Sequence, residues 1–276
     1  MTDLPSLRES LEHHGLMAKK AFGQHFLLDL NITRKIVRLG QEGGSFDNDA
    51  VIEVGPGPGG LTRALLESGA AAVIAVEKDA RFIDLLGELT PVYGERFAVI
   101  EADALKVDEA AILAERGLTG AHIVSNLPYN VGTPLLIKWL TGPWTPLSMT
   151  LMFQLEVALR IVAPVGDDDY GRLSVLAQVL CDGDKIMDLP ARAFTPPPRV
   201  DSAVVKLVPK ADRPAPALVR NLEKVTAAAF GQRRKMLRSS LKSLGGEALL
   251  DKAGIDPTAR AETVAPADFL RLAGLL

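Results

Sequence analysis

Val51-Ile52-Glu53-Val54-Gly55-Pro56-Gly57-Pro58-Gly59-Gly60 decides how the first half of this chain folds. A short apolar, β-branched run ends in a glycine-rich turn, and Gly60 to Ser68 then reads as a helix. Glycines let the chain turn tightly and let a ligand approach the backbone. The helix start adds free N–H groups and a partial positive charge. The same alternation continues outward from this turn. Ala50-Val54, Ala72-Val76, Phe97-Ile100, His122-Ser125 and Ser148-Phe153 read as strands, and helical patterns begin near Asp79 and run from Thr133 to Leu140. Short buried strands alternating with helices predict βαβ units, hence an α/β, Rossmann-like fold with a mostly parallel sheet covered on both faces. Lys185-Leu189 and Ala203-Val208 bracket a proline-rich loop and are expected to pair antiparallel at the sheet edge. Upstream, Asn31 is the expected N-cap of a helix from Ile32 to about Leu39.

After Val208 the texture changes. Pro209 to Pro216 reads as a linker. Leu218 to Phe230 and Gln232 to Leu244 follow as helices, with a short tail. The expected domains are 1–208, the α/β part, and 209–276, a small all-α part.

Bulk properties exclude several classes. With 276 residues, 47% hydrophobic and 24% charged, the chain reads as an ordinary globular protein. Asp3, Arg8, Glu9 and Glu12 interrupt the start, so neither a signal peptide nor a membrane span is expected there, and no membrane association is expected. Cys181 is the only cysteine, which leaves no internal disulfide and no thiolate metal cage; the expected compartment is cytoplasmic. His13, His14, His25 and His122 lack a zinc-binding spacing, no metal is expected, and His13-His14 reads as a solvated helix pair. Net charge is only −3, but its distribution is uneven: residues 41–130 carry 6 basic and 15 acidic side chains, whereas residues 184–242 carry 13 basic and 5 acidic ones. Screening confines surface attraction to about 8 Å at physiological salt, so a basic face on an acidic protein can still hold phosphates.

Gly55, Gly57 and Gly60 satisfy a dinucleotide fingerprint. Glu77 closes the second strand, where a carboxylate can accept both hydroxyls of a ribose. Two cofactors share that ribose, a dinucleotide and S-adenosylmethionine. Asp103, just past the third strand, can accept from an adenine amino group. Pro56 and Pro58 remove two N–H groups from the turn, which suits a pyrophosphate poorly. These points favour S-adenosyl-L-methionine over a nicotinamide-dependent oxidoreductase.

Asn126-Leu127-Pro128-Tyr129 follows the fourth strand, beside the same crevice. Pro128 biases Leu127 to an extended conformation, which can aim the Leu127 carbonyl and the Asn126 side chain at one –NH2 group. An aromatic amine is a poor nucleophile because its lone pair is delocalised. Two acceptors on its hydrogens favour a pyramidal nitrogen, and in-line positioning supplies much of the remaining rate. Tyr129 can stack on the base. The tetrapeptide alone supports chemistry on an amino group and does not choose among DNA, RNA and protein. The basic residues after Phe230 point to structured RNA. Arg233, Arg234, Lys235, Arg238 and Lys242 have no acidic neighbour between them and, on one helix, cover a broad phosphate-gripping face.

These residues resemble the KsgA/RsmA family of ribosomal RNA adenine dimethyltransferases. The resemblance runs from about Lys19 to Lys242. Lys20 to Leu27 is similar to the family's N-terminal box, Gly55-Pro56-Gly57, Glu77, Asp103 and Asn126 to Tyr129 match its cofactor and catalytic motifs in order, Phe194 to Ser202 matches its Phe-x-Pro-x-Pro-x-Val-x-Ser loop, and Ala229 to Lys235 the start of its basic C-terminal helix. The resemblance implies a class I methyltransferase sheet followed by a small C-terminal all-α domain. It implies cofactor contacts from His25, Leu27, Gly55, Gly57, Glu77, Asp103 and Asn126. It also implies an amine held by Asn126 and the Leu127 carbonyl, and a flipped adenine sandwiched between Tyr129 and Phe194. His25 stands where asparagine is common in this box. The implied reaction is dimethylation of two adjacent adenosines in small-subunit (16S) ribosomal RNA, with the pre-30S particle as partner, a monomeric enzyme and a role in small-subunit maturation. The competing readings are a large-subunit enzyme giving antibiotic resistance and an assembly factor acting mainly by RNA binding.

Overall fold

The computed structural model describes residues 4–16, 25–232 and 234–276. Seven strands form one sheet: β1 (Ala50–Val54), β2 (Ala72–Glu77), β3 (Phe97–Glu101), β4 (Ala121–Asn126), β5 (Met149–Gln154), β6 (Cys181–Leu189) and β7 (Ser202–Pro209). Their order is β3-β2-β1-β4-β5-β7-β6. β1 pairs parallel with β2 and with β4, β2 with β3, and β4 with β5. Every residue of β1 is buried, as a parallel strand covered on both faces requires. The chain order reverses between β1 and β4, which makes the C-terminal ends of these two strands the switch point where α/β folds bind ligands.

All five expected strands of the first half are present, each within one or two residues of its expected bounds. Some details differ. The N-cap of the helix Leu30–Gln41 is Asp29, whose carboxylate accepts from Asn31 N–H at 2.8 Å; Asn31 lies inside the first turn. His14 is only half-exposed: its Nε2 lies 2.8 Å from Glu88 Oε1, while Ser10 Oγ donates to Glu88 Oε2 at 2.9 Å.

The chain divides into two compact units. The first comprises Met1–Leu136, Pro146–Leu155 and Lys185–Lys206; the second comprises Ile137–Thr145, Glu156–Asp184 and Leu207–Leu276. The core of the first unit joins Val51, Leu65, Val73, Ala75, Leu86, Val124, Met152 and Val204 with Leu27 and Phe194. The second unit is largely helical. Pro216–Phe230 contributes buried Leu222, Val225 and Ala229, Pro266–Ala273 contributes Phe269 and Leu272, and Tyr170 Oη donates to the Val264 carbonyl at 2.9 Å. Gln232 to Leu244 is not one helix. Met236 is extended (ψ 149°) and bridges to Arg260, so helical structure restarts at Leu237–Ser240 and ends in a 3-10 turn at Lys242–Leu244. Nor is the rest a tail, since Gly246–Ala253 and Pro266–Ala273 are helices. Among the described residues, no helix is long and apolar enough to cross a membrane.

Candidate active site

Three strand ends converge on a cavity of about 460 Å³ in the first unit. The turn after β1, the end of β2 and the loop after β4 line it with Gly55, Gly57, Glu77, Asn126, Leu127, Pro128 and Tyr129; His25, Phe26 and Leu27 complete the wall. The backbone could follow this path only with glycine at several points, two of which face the cavity wall. Gly55 has φ +66°, and a Cβ there would stand 3.2 Å from Pro128 Cδ and Cγ. Gly57 has φ +52°, and its Cβ would stand 3.3 Å from Phe26 Cε1. At Gly55 the two motif loops therefore pack backbone against proline, which fixes their spacing.

Glu77 is held by three backbone donors. Lys78 and Asp79 N–H groups donate to Oε1 at 2.8 and 2.9 Å, and Gly57 N–H donates to Oε2 at 3.2 Å. A carboxylate offers about four lone-pair sites, so Oε2 retains room for one more donor. Glu53 also lines the cavity and is 1% exposed. Burial pushes its carboxyl up to about 8; the Thr62 hydroxyl, donating to Oε2 at 2.6 Å, opposes that, and the nearby Glu77 charge adds to it. The motifs do not single out Glu53. A signal for it exists in the sequence all the same, because a carboxylate inside an all-buried strand is rare without a function or a partner.

Among the described residues, the lining contains no lysine or arginine. With two carboxyl groups, no cation and two prolines in the turn, the site is unsuited to a pyrophosphate and fits a cationic adenosine-bearing ligand such as S-adenosylmethionine. Asp103 lies outside the lining. Its carboxylate accepts from Lys78 Nζ at 3.2 Å and from Leu105 N–H at 3.2 Å, and the lysine contact first, then the backbone bond, hold its pKa below the usual carboxylate value.

The loop after β4 presents a half-buried Tyr129 whose Oη lies 2.8 Å from Ser202 Oγ. Burial raises the phenol pKa, so it stays protonated and is no general base at neutral pH. Val131 and Gly132 N–H groups donate to the Pro128 carbonyl at 3.1 and 3.0 Å, which turns the chain into the helix Gly132–Thr141. Phe194, expected as the second face of a base sandwich, has no open face here. It is 2% exposed and packs into the core, because the loop it begins is drawn inward by the Phe26–Thr195 bridge. The ring that faces Tyr129 is His25, with centroids 6.1 Å apart and planes 30° from parallel. Arg234, Lys235, Arg238 and Lys242 are exposed in the second unit; Arg233 and Lys20 to Gln24 lie outside the described residues. Among the described residues, no group of three or more His, Cys, Asp or Glu side chains could hold a metal ion.

Comparison with known proteins agrees with this geometry. Residues 15–276 match the family model described as ribosomal RNA adenine dimethylase. A protein of Phenylobacterium zucineum named ribosomal RNA small subunit methyltransferase A is 68% identical over 98% of this chain and 92% of its own length. The protein of that name from Caulobacter vibrioides is 65% identical over 93% and 96%. Among solved structures, a dimethyladenosine transferase from Plasmodium falciparum superposes with TM-score 0.75 at 26% identity, covering 90% of this chain and 96% of that one. The 23S rRNA methyltransferase ErmE superposes with TM-score 0.65 at 28% identity, covering 90% and 98%. The fold and the cavity are those of a class I methyltransferase that uses S-adenosylmethionine. The chain belongs to the ribosomal RNA adenine dimethylase family, and it is an enzyme acting on ribosomal RNA.

Proposed function

We propose that this enzyme dimethylates the exocyclic amino groups of two adjacent adenosines in small-subunit (16S) ribosomal RNA, within a pre-30S particle, as a cytoplasmic monomer. The observation that carries the chemistry is the convergence of Asn126, Leu127 and Tyr129 on the cavity that also holds Glu77. When bound, S-adenosylmethionine supplies an electrophilic sulfonium methyl group. Glu77 Oε2 would accept a ribose hydroxyl, His25, Leu27, Gly55 and Gly57 would line the cofactor, and Asp103, outside the cavity lining and held by Lys78, is assigned to the adenine end by the family resemblance. The Asn126 side chain and the Leu127 carbonyl accept from the two hydrogens of the target amine. That disfavours the planar, conjugated nitrogen and turns its lone pair outward. The nitrogen's proton becomes acidic as the N–C bond forms, so the site needs no strong base. Tyr129 stacks on the base; the buried Phe194 sets the loop that faces it. Arg234, Lys235 and Arg238, together with Arg233, hold RNA phosphates.

The choice of the small subunit rests on the names of the highly identical relatives, as ErmE shares the fold and acts on 23S RNA. Mass spectrometry of ribosomal RNA from cells with and without the gene tests it. Dimethyladenosine should vanish from 16S RNA without the gene and should not return with Asn126→Ala. Loss from 23S RNA instead overturns the small-subunit assignment. Normal methylation with a failure of subunit assembly points to a binding role.

A further inference from the structure

A short N-terminal helix supports the glycine-rich turn from outside the cavity. Leu7–His13 has seven residues and starts at a capping box, in which Ser6 Oγ accepts from Glu9 N–H at 3.2 Å and Glu9 Oε2 from Ser6 N–H at 2.8 Å. Isolated helices shorter than about 12 residues are marginal in water, so this one depends on docking. Its docking face is Leu7, Ser10 and Leu11, all buried, and neither leucine lines the cavity. Leu7 meets Gly60, where a Cβ would stand 3.3 Å from Leu7 Cδ1. Leu11 packs with Phe26, Phe82 and Leu85. Phe26 and Phe82 meet edge to face, centroids 5.5 Å apart, and both line the cavity. Phe26 also packs against Gly57, whose N–H holds Glu77. A line of contacts thus runs from Leu11 through Phe26 and Gly57 to the carboxylate. The polar half of the dock is Arg63, on the helix that the turn opens. It is 7% exposed. Its Nη1 donates to the Pro5 carbonyl at 2.5 Å and its Nη2 to Ser10 Oγ at 3.4 Å, while Ser10 Oγ donates in turn to Glu88. Among the described residues, Arg63 Nε has no hydrogen-bond partner. Burying a guanidinium with a donor unmet is costly and a poor route to stability. What it achieves is to tie the N-terminal helix to the helix after the turn.

We propose that the helix Leu7–His13 is a buttress for the cofactor turn, and that Leu11 and Arg63 are positioning residues for S-adenosylmethionine binding, acting through Phe26 and the helix after Gly60. The proposal rests on the reading of the cavity as the cofactor site. Interiors are close-packed, so truncating Leu11 leaves a void on the outer side of Phe26. The ring relaxes toward that void and loosens its contact with Gly57.

The test compares full-length wild-type enzyme with Leu11→Ala, Arg63→Met and a control, Leu113→Ala, which truncates a buried leucine of the same unit outside the cavity lining. Titration calorimetry reads S-adenosylmethionine binding, and thermal melting reads stability. Leu11→Ala should raise the Kd by about 5- to 30-fold, and the KM for the cofactor with it, while kcat at saturating cofactor holds. Leu11→Met, which nearly conserves volume, should restore the wild-type Kd. Leu113→Ala should lower the melting temperature and leave the Kd unchanged. A wild-type Kd in Leu11→Ala overturns the buttress. So does a Leu113→Ala variant whose Kd rises as much, since the effect is then general destabilisation. If Leu11→Ala does not fold, Arg63→Met decides by the same two outcomes, because it removes the fastening to Pro5 and Ser10 and leaves Leu11 in place. A wild-type enzyme that binds no S-adenosylmethionine overturns the reading of the cavity instead, and the wild-type arm shows that outcome separately.

Discussion

Gly57 N–H donates to Glu77 Oε2 at 3.2 Å, fastening the turn after β1 to the end of β2 across 20 residues of sequence. The carboxylate is therefore oriented before any ligand arrives. Preorganisation of this kind lowers the ordering cost of binding.

Glu77→Ala should weaken S-adenosylmethionine binding. A hydrogen bond to a charged group contributes about 1.5–3 kcal/mol, so the Kd should rise by roughly 10- to 150-fold. Titration calorimetry measures it. An unchanged Kd would remove Glu77 from the ribose site.

Gly55→Ala should reduce stability and cofactor affinity together. The left-handed backbone there, φ +66°, opposes any side chain by about 1–2 kcal/mol, and the new methyl would press on Pro128 at 3.2 Å. Thermal melting should shift down, and the loop carrying Asn126 should be displaced with it. A melting temperature equal to wild type would contradict the packing described.

Glu53 should make stability pH-dependent. Its folded pKa, about 8, lies above the ordinary value of 4.5. The stabilisation from the neutral carboxyl is fully present below pH 4.5 and is lost as pH rises through 8. Between those limits this group lowers unfolding free energy by at most about 1.4 kcal/mol per pH unit. Glu53→Gln should flatten that slope in denaturant titrations at about pH 5, 6.5 and 8. Parallel curves for the two proteins would show that Glu53 is ionised in the folded state.

Charge reversal at Arg234 and Arg238 should lower RNA affinity and its salt dependence. For each phosphate that is no longer neutralised, the slope of log K against log salt should fall by about 0.7–0.9. Filter binding at several salt concentrations reads it. Slopes equal to wild type would place these side chains away from RNA.

Periodicity exposes the strands because each is a local, buried run, and the glycine turn is legible because left-handed backbone needs glycine. The break at Met236 is not legible. Gln232 to Leu244 has helical composition, but Met236 pairs with Arg260, a partner that no local window contains. Propensity is a weak prior that tertiary pairing overrides.

The sequence by itself determined the parallel sheet, the turn at Gly55, the carboxylate at Glu77 and the loop at Asn126, because each depends on neighbouring residues at fixed spacing. Only the tertiary structure decided which rings meet. His25 and Phe194 flank the Phe26–Thr195 bridge. The bridge between Phe26 and Thr195 buries Phe194 and leaves His25 facing Tyr129. The upward pKa shift of Glu53 is set the same way, by the packing that removes it from water. Spacing along a chain fixes backbone direction, whereas burial and ring contact depend on segments far apart in sequence coming together.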